Sequence, residues 1–178
     1  MPQFIDDATF GDYFHAFEHT AWRLETRRGY ASDRRSPRWA RWQSGEDISL
    51  YSGSAWRDNI SAQVAAGKRF ERVRLVDEPP TEGQLFLLAS AVGNNAAGED
   101  IRNLWRSEAQ KLKLPAEDFW LFDSRLALLL HFDDADEYVG AELVEDPVRI
   151  VRYCQVRDAA WHHAIRRDDF AARVASAA

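Results

Sequence analysis

“DFWLFDSRLALLLHFDDADEYVGAELVED”, residues 118–146, contains three mainly apolar runs separated by short polar segments that hold Asp, Ser and Arg. Apolar and aromatic runs of this length, bounded by such residues, are typical of strands joined by tight turns. We therefore predict an antiparallel three-stranded meander made of DFWLFD, RLALLLHFDD and YVGAELVED.

Two upstream stretches, AWRLET (residues 21–26) and RFERVRLVDEPP (residues 69–80), alternate apolar and charged residues. Alternation of this kind places successive side chains of a strand on opposite faces. The apolar face is predicted to pack into the core. The other face is predicted to carry a charged ladder, formed by Arg23, Glu25, Arg72 and Arg74.

Helical patterns surround these strands. Apolar residues recur at three- and four-residue spacing in residues 7–20, in residues 54–67 and from Pro147 onward, and strong helix formers fill residues 81–92. A length of 178 residues fits one domain. The predicted fold is a single α+β domain over residues 1–178, with a mostly antiparallel sheet of about five strands, a C-terminal three-stranded meander, and helices packed on one face.

Residues 27–54 are rich in Arg, Ser, Asp and Gly, and we predict a long, mobile loop with one helical turn near Trp39 and Trp42. Loops of this length are usually functional. Trp and Arg are common at the centres of protein interfaces, so this cluster predicts binding of a protein partner. If the loop instead covers the charged ladder, the ladder becomes a polar pocket in which the charges must be paired.

The stretch GNNAAGEDIR, residues 93–102, is predicted to break the preceding helix, because it holds two Gly and two Asn. The break would form a polar corner able to bind a ligand or a partner, with Asn94, Glu99, Asp100 and Arg102 as its side chains. A capped helix start is the alternative. The glycine spacing is not that of a phosphate-binding loop.

The stretch HAFEH, residues 15–19, has the spacing of an inverted zinc-peptidase motif. On a helix, His15 and His19 would lie on one face, where two imidazoles can bind one zinc ion. No third ligand is marked in the sequence. We therefore expect no metal and no cofactor, with a zinc site at His15 and His19 as the alternative.

The composition favours a folded protein, with 46% hydrophobic and 29% charged residues. The formal net charge of -6 argues against direct binding of nucleic acid, which requires a cationic surface. There is no signal-like or membrane-spanning apolar run, and the one cysteine, Cys154, cannot form an internal disulfide. We expect a cytoplasmic protein without membrane contact.

Four pieces of the sequence carry a resemblance: AWRLETRRGY, AAGEDIR, DFWLFD and HFDDADEYVGAEL. In combination they resemble an actinobacterial family of uncharacterised proteins that are often encoded beside helix-turn-helix regulators. The resemblance implies no catalytic residues. It implies, by association, a role in a small regulatory pair.

The leading functional prediction is therefore a non-catalytic regulatory or protein-interaction module that works with a DNA-binding regulator. The alternative is a small hydrolase or nuclease, with or without metal, whose polar site would gather Glu25, Glu99, Asp100 and His131. An enzyme needs these groups to converge in one pocket. The sequence leaves the identity of the partner and the oligomeric state open.

Overall fold

The computed structural model describes residues 3–49 and 54–177. Within these ranges the helices are α1 (Asp7–Ala16), α2 (Ala31–Arg34), α3 (Pro37–Gln43), α4 (Ala55–Ala65), α5 (Glu82–Ala97), α6 (Arg106–Lys111), α7 (Pro147–His163) and α8 (Arg167–Ala177). The strands are β1 (Phe4–Ile5), β2 (Thr20–Glu25), β3 (Arg69–Val76), β4 (Asp100–Trp105), β5 (Asp118–Phe122), β6 (Leu126–Phe132), β7 (Tyr138–Val144) and β8 (Ile165–Arg166). None of the helices in the described ranges combines the length and apolarity needed to cross a bilayer.

All the strands belong to one mixed sheet, in the order β1-β7-β6-β5-β2-β3-β4-β8. Strands β2, β3 and β4 are parallel, and the remaining neighbours are antiparallel. The α+β class is confirmed, but the prediction of about five strands was wrong. β5, β6 and β7 are consecutive antiparallel neighbours, yet they do not form a separate C-terminal unit, because β1 and β2 extend the sheet on either side and α7, β8 and α8 follow in the chain.

The helices pack on both faces of the sheet, which corrects the prediction of one covered face. On one face, Trp22 and Leu24 of β2 join the core formed with α6 and α7. On the other face, Ala21 of β2 and Phe70 of β3 join the core formed with α1 and α4. A sheet covered on both sides has buried residues at successive strand positions. The five residues of β5 are accordingly all buried.

The segment of residues 27–49, hereafter the cover segment, lies against α5. It contains two short helices, α2 and α3, so the prediction of an irregular loop with one helical turn was wrong in part. Ser36 caps α3 by accepting a hydrogen bond from the Trp39 backbone, and Pro37 occupies the first turn. Trp39 packs on Phe86 of α5 at a ring distance of 4.9 Å. Residues 50–53 of the predicted loop lie outside the described residues.

Helix α5 runs through Gly93, Asn94 and Asn95 and ends at Gly98, so the predicted break at residue 93 was wrong. A side chain at position 93 would collide with the Arg57 guanidinium and the Ser49 carbonyl oxygen. Gly93 is therefore a packing residue within a helix. The turn comes at Gly98, where φ is 112° and the left-handed conformation favours glycine.

Candidate functional site

A buried charge network lies on the face of β2 and β3 that the cover segment and α5 enclose. The parallel register pairs Arg23 with Arg72 and Glu25 with Arg74, so all four side chains lie on that face. Arg72 Nη1 donates to Glu25 Oε1 at 2.8 Å, and Arg74 Nε donates to Glu25 Oε2. Arg23 Nη1 lies 3.3 Å from Glu25 Oε1. The predicted charged ladder thus converges on one carboxylate.

Further polar groups complete the network at its two ends. At one end, Arg72 Nε donates to Glu99 Oε1 at 2.7 Å, and Asn94 Nδ2 donates to Glu99 Oε2 at 3.0 Å. At the other end, Arg23 Nη2 lies 3.4 Å from Asp118 Oδ2. The Tyr30 hydroxyl donates to the same Asp118 oxygen at 2.7 Å. Asn94 and Glu99 of the predicted polar corner therefore belong to the site.

Glu25 is held in its ionised form. Burial disfavours the carboxylate, but the positive charges of Arg72, Arg74 and Arg23 outweigh burial, so the pKa of Glu25 lies well below its usual range. The pairing acts in the opposite direction on Arg23: burial lowers its pKa, but the electrostatic effects of Glu25, Tyr30 and Asp118 together outweigh burial, so the pKa of Arg23 is raised. Glu25 and Arg23 are therefore both charged at neutral pH.

A cavity of about 430 Å³ lies between this network and the cover segment. Its volume is that of a pocket for a small organic molecule, for which about 300–1,000 Å³ is typical. One part of its wall is polar and is formed by Ser32, Asp33 and Arg38 of the cover segment together with part of the network, namely Arg23, Glu25, Tyr30, Arg72, Arg74 and Asn94. The other part is aromatic, and its rings are those of Phe10, Phe14, Trp56, Trp120, Phe132 and Tyr138.

The aromatic wall is rigid because its rings pack edge to face. The Phe14 ring lies 5.2 Å from that of Trp56 and 4.9 Å from that of Trp120, both near perpendicular. Trp120 also receives two guanidinium groups on its ring, from Arg72 at 5.1 Å and Arg23 at 5.6 Å. These cation–π contacts join the aromatic wall to the charged network.

Two other predicted site residues lie on the opposite face of the sheet. Arg102 pairs with Asp100 at 2.9 Å, and its guanidinium lies 3.8 Å from the ring centre of Trp161 on α7. Glu99 and Asp100 are adjacent in sequence, but Glu99 precedes β4 and joins the network while Asp100 starts the strand on the α7 side. The predicted polar corner is therefore divided by the sheet.

Trp39 and Trp42, for which the sequence predicts partner binding, pack against α5 of the same chain. Trp39 is buried, and both rings pack against Phe86 of α5. These residues fix the cover segment over the cavity. Arg38, their neighbour in sequence, is the part of the predicted cluster that lines the cavity.

The predicted enzyme site is not assembled. His131 lies on the α7 face, where its Nε2 atom is 3.2 Å from Glu142 Oε2. Asp100 is on that face as well, whereas Glu25 and Glu99 are on the other. The four groups therefore share no pocket.

His15 and His19 do not have the arrangement that the alternative zinc site requires. Helix α1 ends at Ala16, and Phe17 is in an extended conformation, so His15 and His19 share no helix face. Beyond the helix, Asp123 accepts hydrogen bonds from the backbone N–H groups of Glu18, His19 and Thr20 at 2.7–2.9 Å. Among the described residues, no group of three His, Cys, Asp or Glu side chains is placed to hold a metal ion.

Several residues of the site are not predicted by the sequence patterns, chiefly Asp118, Tyr30 and Asp33. Asp118 is 3% exposed and accepts from Thr26 N, Thr26 Oγ1 and Tyr30. One signal was available, since Asp118 opens an otherwise apolar strand. A carboxylate at such a position is buried and must be paired.

A family model described as a domain of unknown function (DUF6879) matches residues 8–172. The matched range includes both faces of the sheet and every described residue that lines the cavity. The search of curated proteins gives no match.

Proposed function

The chain belongs to this DUF6879 family, and because membership supplies no activity, we propose a function from the cavity: a non-catalytic regulatory module that binds a small molecule. The observation that carries the proposal is the cavity of about 430 Å³, with an aromatic wall beside a charged wall. Ligand pockets typically combine an apolar lining with a few fixed polar groups. The polar groups here are held in place by one another.

The state of the charged groups supports binding over catalysis. A general base needs a pKa near the working pH. Glu25 has a pKa far below that range, because Arg72 and Arg74 donate directly to its oxygens. A carboxylate of this kind is a poor proton acceptor. It orients the guanidinium groups, whose remaining N–H donors can serve a ligand.

The cover segment connects the wall of the cavity to residues on the protein surface. Arg27 Nη2 donates to Asp136 Oδ1 at 2.6 Å, and Arg34 Nη2 donates to Asp136 Oδ2 at 3.1 Å. Arg35 forms a bidentate pair with Glu137. These pairs, hereafter the latch, join the cover segment to the turn between β6 and β7. A ligand that binds under the cover segment would therefore shift the exposed residues of the latch.

The remaining parts of the proposal rest on the resemblance to an actinobacterial family. We propose that the module contacts a protein partner, a helix-turn-helix regulator encoded beside it, in the cytoplasm. The expected effect of ligand is a change in affinity for that regulator. Co-purification of the two proteins, with and without the small molecules extracted from the module, tests this part by itself.

The binding proposal is tested by the native mass of the protein purified from its host. We expect a retained small molecule, visible as an added mass that disappears on denaturation. Ser32→Trp places a large ring at an exposed position of the cavity wall and should abolish the added mass. Ser44→Trp makes the same exchange at an exposed position of the cover segment outside the cavity and should keep it.

The absence of any added mass in the wild type, after mild desalting from a cell extract, would contradict the proposal. An added mass that Ser32→Trp and Ser44→Trp retain equally would place the ligand elsewhere on the protein.

A further inference from the structure

We propose that the cavity takes an uncharged aromatic molecule with a hydrogen-bonding group, of which an aromatic amide is the simplest example. This inference rests on the proposed function and adds the chemical class of the ligand. Two independent features carry it: the mutual pairing of the charges in the network, and the arrangement of rings on the aromatic wall.

The formal charges of the network cancel. Three basic and three acidic side chains form it, and they are Arg23, Arg72, Arg74, Glu25, Glu99 and Asp118. Each of the six lies within 3.4 Å of a side chain of opposite charge, and none is more than 13% exposed. The cover segment adds one basic and one acidic side chain to the cavity wall, Arg38 and Asp33. The network therefore has no surplus charge that a ligand ion would neutralise.

The carboxylate oxygens of the network are already engaged. Each of the six accepts a hydrogen bond, and the donors are Arg72 and Arg74 for Glu25, Arg72 and Asn94 for Glu99, and Thr26 and Tyr30 for Asp118. A ligand ion of either sign would exchange its hydration for groups that already satisfy one another. Burial of a charge is costly unless the charge gains a partner. The network therefore selects against ligands that carry a net charge.

Hydroxyl groups supply uncharged hydrogen-bond partners in the cavity. Those of Ser32, Ser54 and Tyr138 belong to residues that line it. The Ser54 hydroxyl oxygen accepts from the Arg57 backbone N–H at 3.4 Å, which leaves its own hydrogen to donate. A hydroxyl group can both donate and accept hydrogen bonds. An amide or a similar uncharged group can therefore be bound here without a counter-ion.

The aromatic wall favours a flat ring on the ligand. Phe14, Trp56 and Trp120 present both edges and faces, since their ring planes lie at 62° to 81° to one another. A planar aromatic ring makes favourable contacts with rings in either orientation. Arg72 lies over the Trp120 ring, so the aromatic wall adjoins the network and one small molecule can reach both.

Four probes of similar size test the inference: benzamide, the anion benzoate, the cation benzylammonium and the non-aromatic cyclohexanecarboxamide. The protein is first denatured and refolded to remove any retained molecule, and its native mass is checked. Binding is followed by the indole N–H signals of the tryptophans in two-dimensional ¹H–¹⁵N spectra. Trp56 and Trp120 lie in the cavity wall and should shift, whereas Trp22 lies in the core on the α7 face and should not.

We expect benzamide to bind about tenfold more tightly than benzoate or benzylammonium, because each ion loses hydration without gaining a free counter-ion. Cyclohexanecarboxamide keeps the amide but lacks the aromatic ring. It should bind about fivefold more weakly than benzamide. The two ions thus test the charge, and the cyclohexane ring tests the aromatic contact.

Glu99→Gln tests the role of the charge balance. The exchange removes one carboxylate with little change of shape and leaves a surplus positive charge on Arg72, which lines the cavity. The Kd of benzoate divided by that of benzamide should therefore fall about tenfold. The matched control Glu142→Gln removes a carboxylate from the other face of the sheet and should leave this ratio unchanged.

An unchanged ratio in Glu99→Gln would contradict the inference. Because both constants are measured on the same variant, their ratio does not depend on the fraction of the variant that is folded. The ranking of the four probes in the wild type decides the inference even where Glu99→Gln does not fold.

The outcomes separate this inference from the proposed function. If benzoate or benzylammonium binds the wild type as tightly as benzamide, or if the molecule recovered from the unextracted protein is an ion, the uncharged class is wrong while a ligand cavity remains. If cyclohexanecarboxamide binds as tightly, the aromatic part is wrong. If no probe shifts the Trp56 and Trp120 signals at about 10 mM, well beyond millimolar affinity, the inference is overturned, and the native mass of the unextracted protein decides the proposed function.

Discussion

Replacement of Glu25 by Gln should strongly destabilise the fold. Glu25 is 3% exposed and is the shared counter-ion of Arg23, Arg72 and Arg74. The amide has nearly the same shape but no charge, so three buried guanidinium groups lose their common partner. Removing one member of a buried ion pair costs about 3–5 kcal/mol. In a chain of this length that corresponds to a fall in Tm of about 6–20 °C.

Urea unfolding followed by tryptophan fluorescence measures this effect. The matched control is Glu142→Gln on the other face of the sheet, where Glu142 pairs with Arg149 at 3.0 Å and both side chains are partly exposed. Ion pairs of that kind contribute about 0–1 kcal/mol. The free energy of unfolding should therefore fall several times more for Glu25→Gln than for Glu142→Gln. A loss below about 1 kcal/mol for Glu25→Gln would refute the reasoning, because a buried shared counter-ion cannot be removed so cheaply.

Three further predictions concern pH and packing. The pKa of Glu25 is lower in the folded than in the unfolded state, so its contribution to the free energy of unfolding is complete above the unfolded-state pKa and is lost as pH falls. The free energy of unfolding of the wild type should therefore decline below about pH 5 more steeply than that of Glu25→Gln, as measured by paired urea titrations. Gly93→Ala should lower the free energy of unfolding by about 1–3 kcal/mol, because the new methyl group collides with Arg57. Gly11→Ala in α1 meets no other atom and should raise it by about 0.5–1 kcal/mol. Thermal melts of both variants measure these changes. Asp136→Asn breaks two arms of the latch and should cost about 1–2 kcal/mol at low salt, with a smaller difference at 1 M salt.

Alternation along β2 and β3 was enough to predict the charged face. The positions of Arg23, Glu25, Arg72 and Arg74 follow from a period of two residues, and the structure places them on one face as expected. Whether that face met solvent or a pocket depended on residues 27–54. Local sequence does not predict whether the charged face is exposed or covered, because the cover depends on the long-range packing of Trp39 against α5.

The missed features have physical reasons. β1 and β8 contain two residues each, too short for any pattern. The glycine and asparagines at residues 93–95 favour a turn by local propensity, but the packing of Arg57 against Gly93 overrides it and the helix continues. The role of Asp118 does not follow from local sequence, because its partners Thr26 and Tyr30 are about 90 residues away in the chain.

The two faces of β2 and β3 show that the charged network is not needed for stability alone. On the α7 side, the same two strands place Trp22, Leu24, Val73 and Leu75 in an apolar core. Apolar side chains of similar volume are often as stabilising as a buried ion network, or more so. Such a replacement on the other face would preserve the sheet but leave the cavity without charges or directed donors. In the proposed function, the network provides the charged groups and directed donors that a ligand in the cavity would contact.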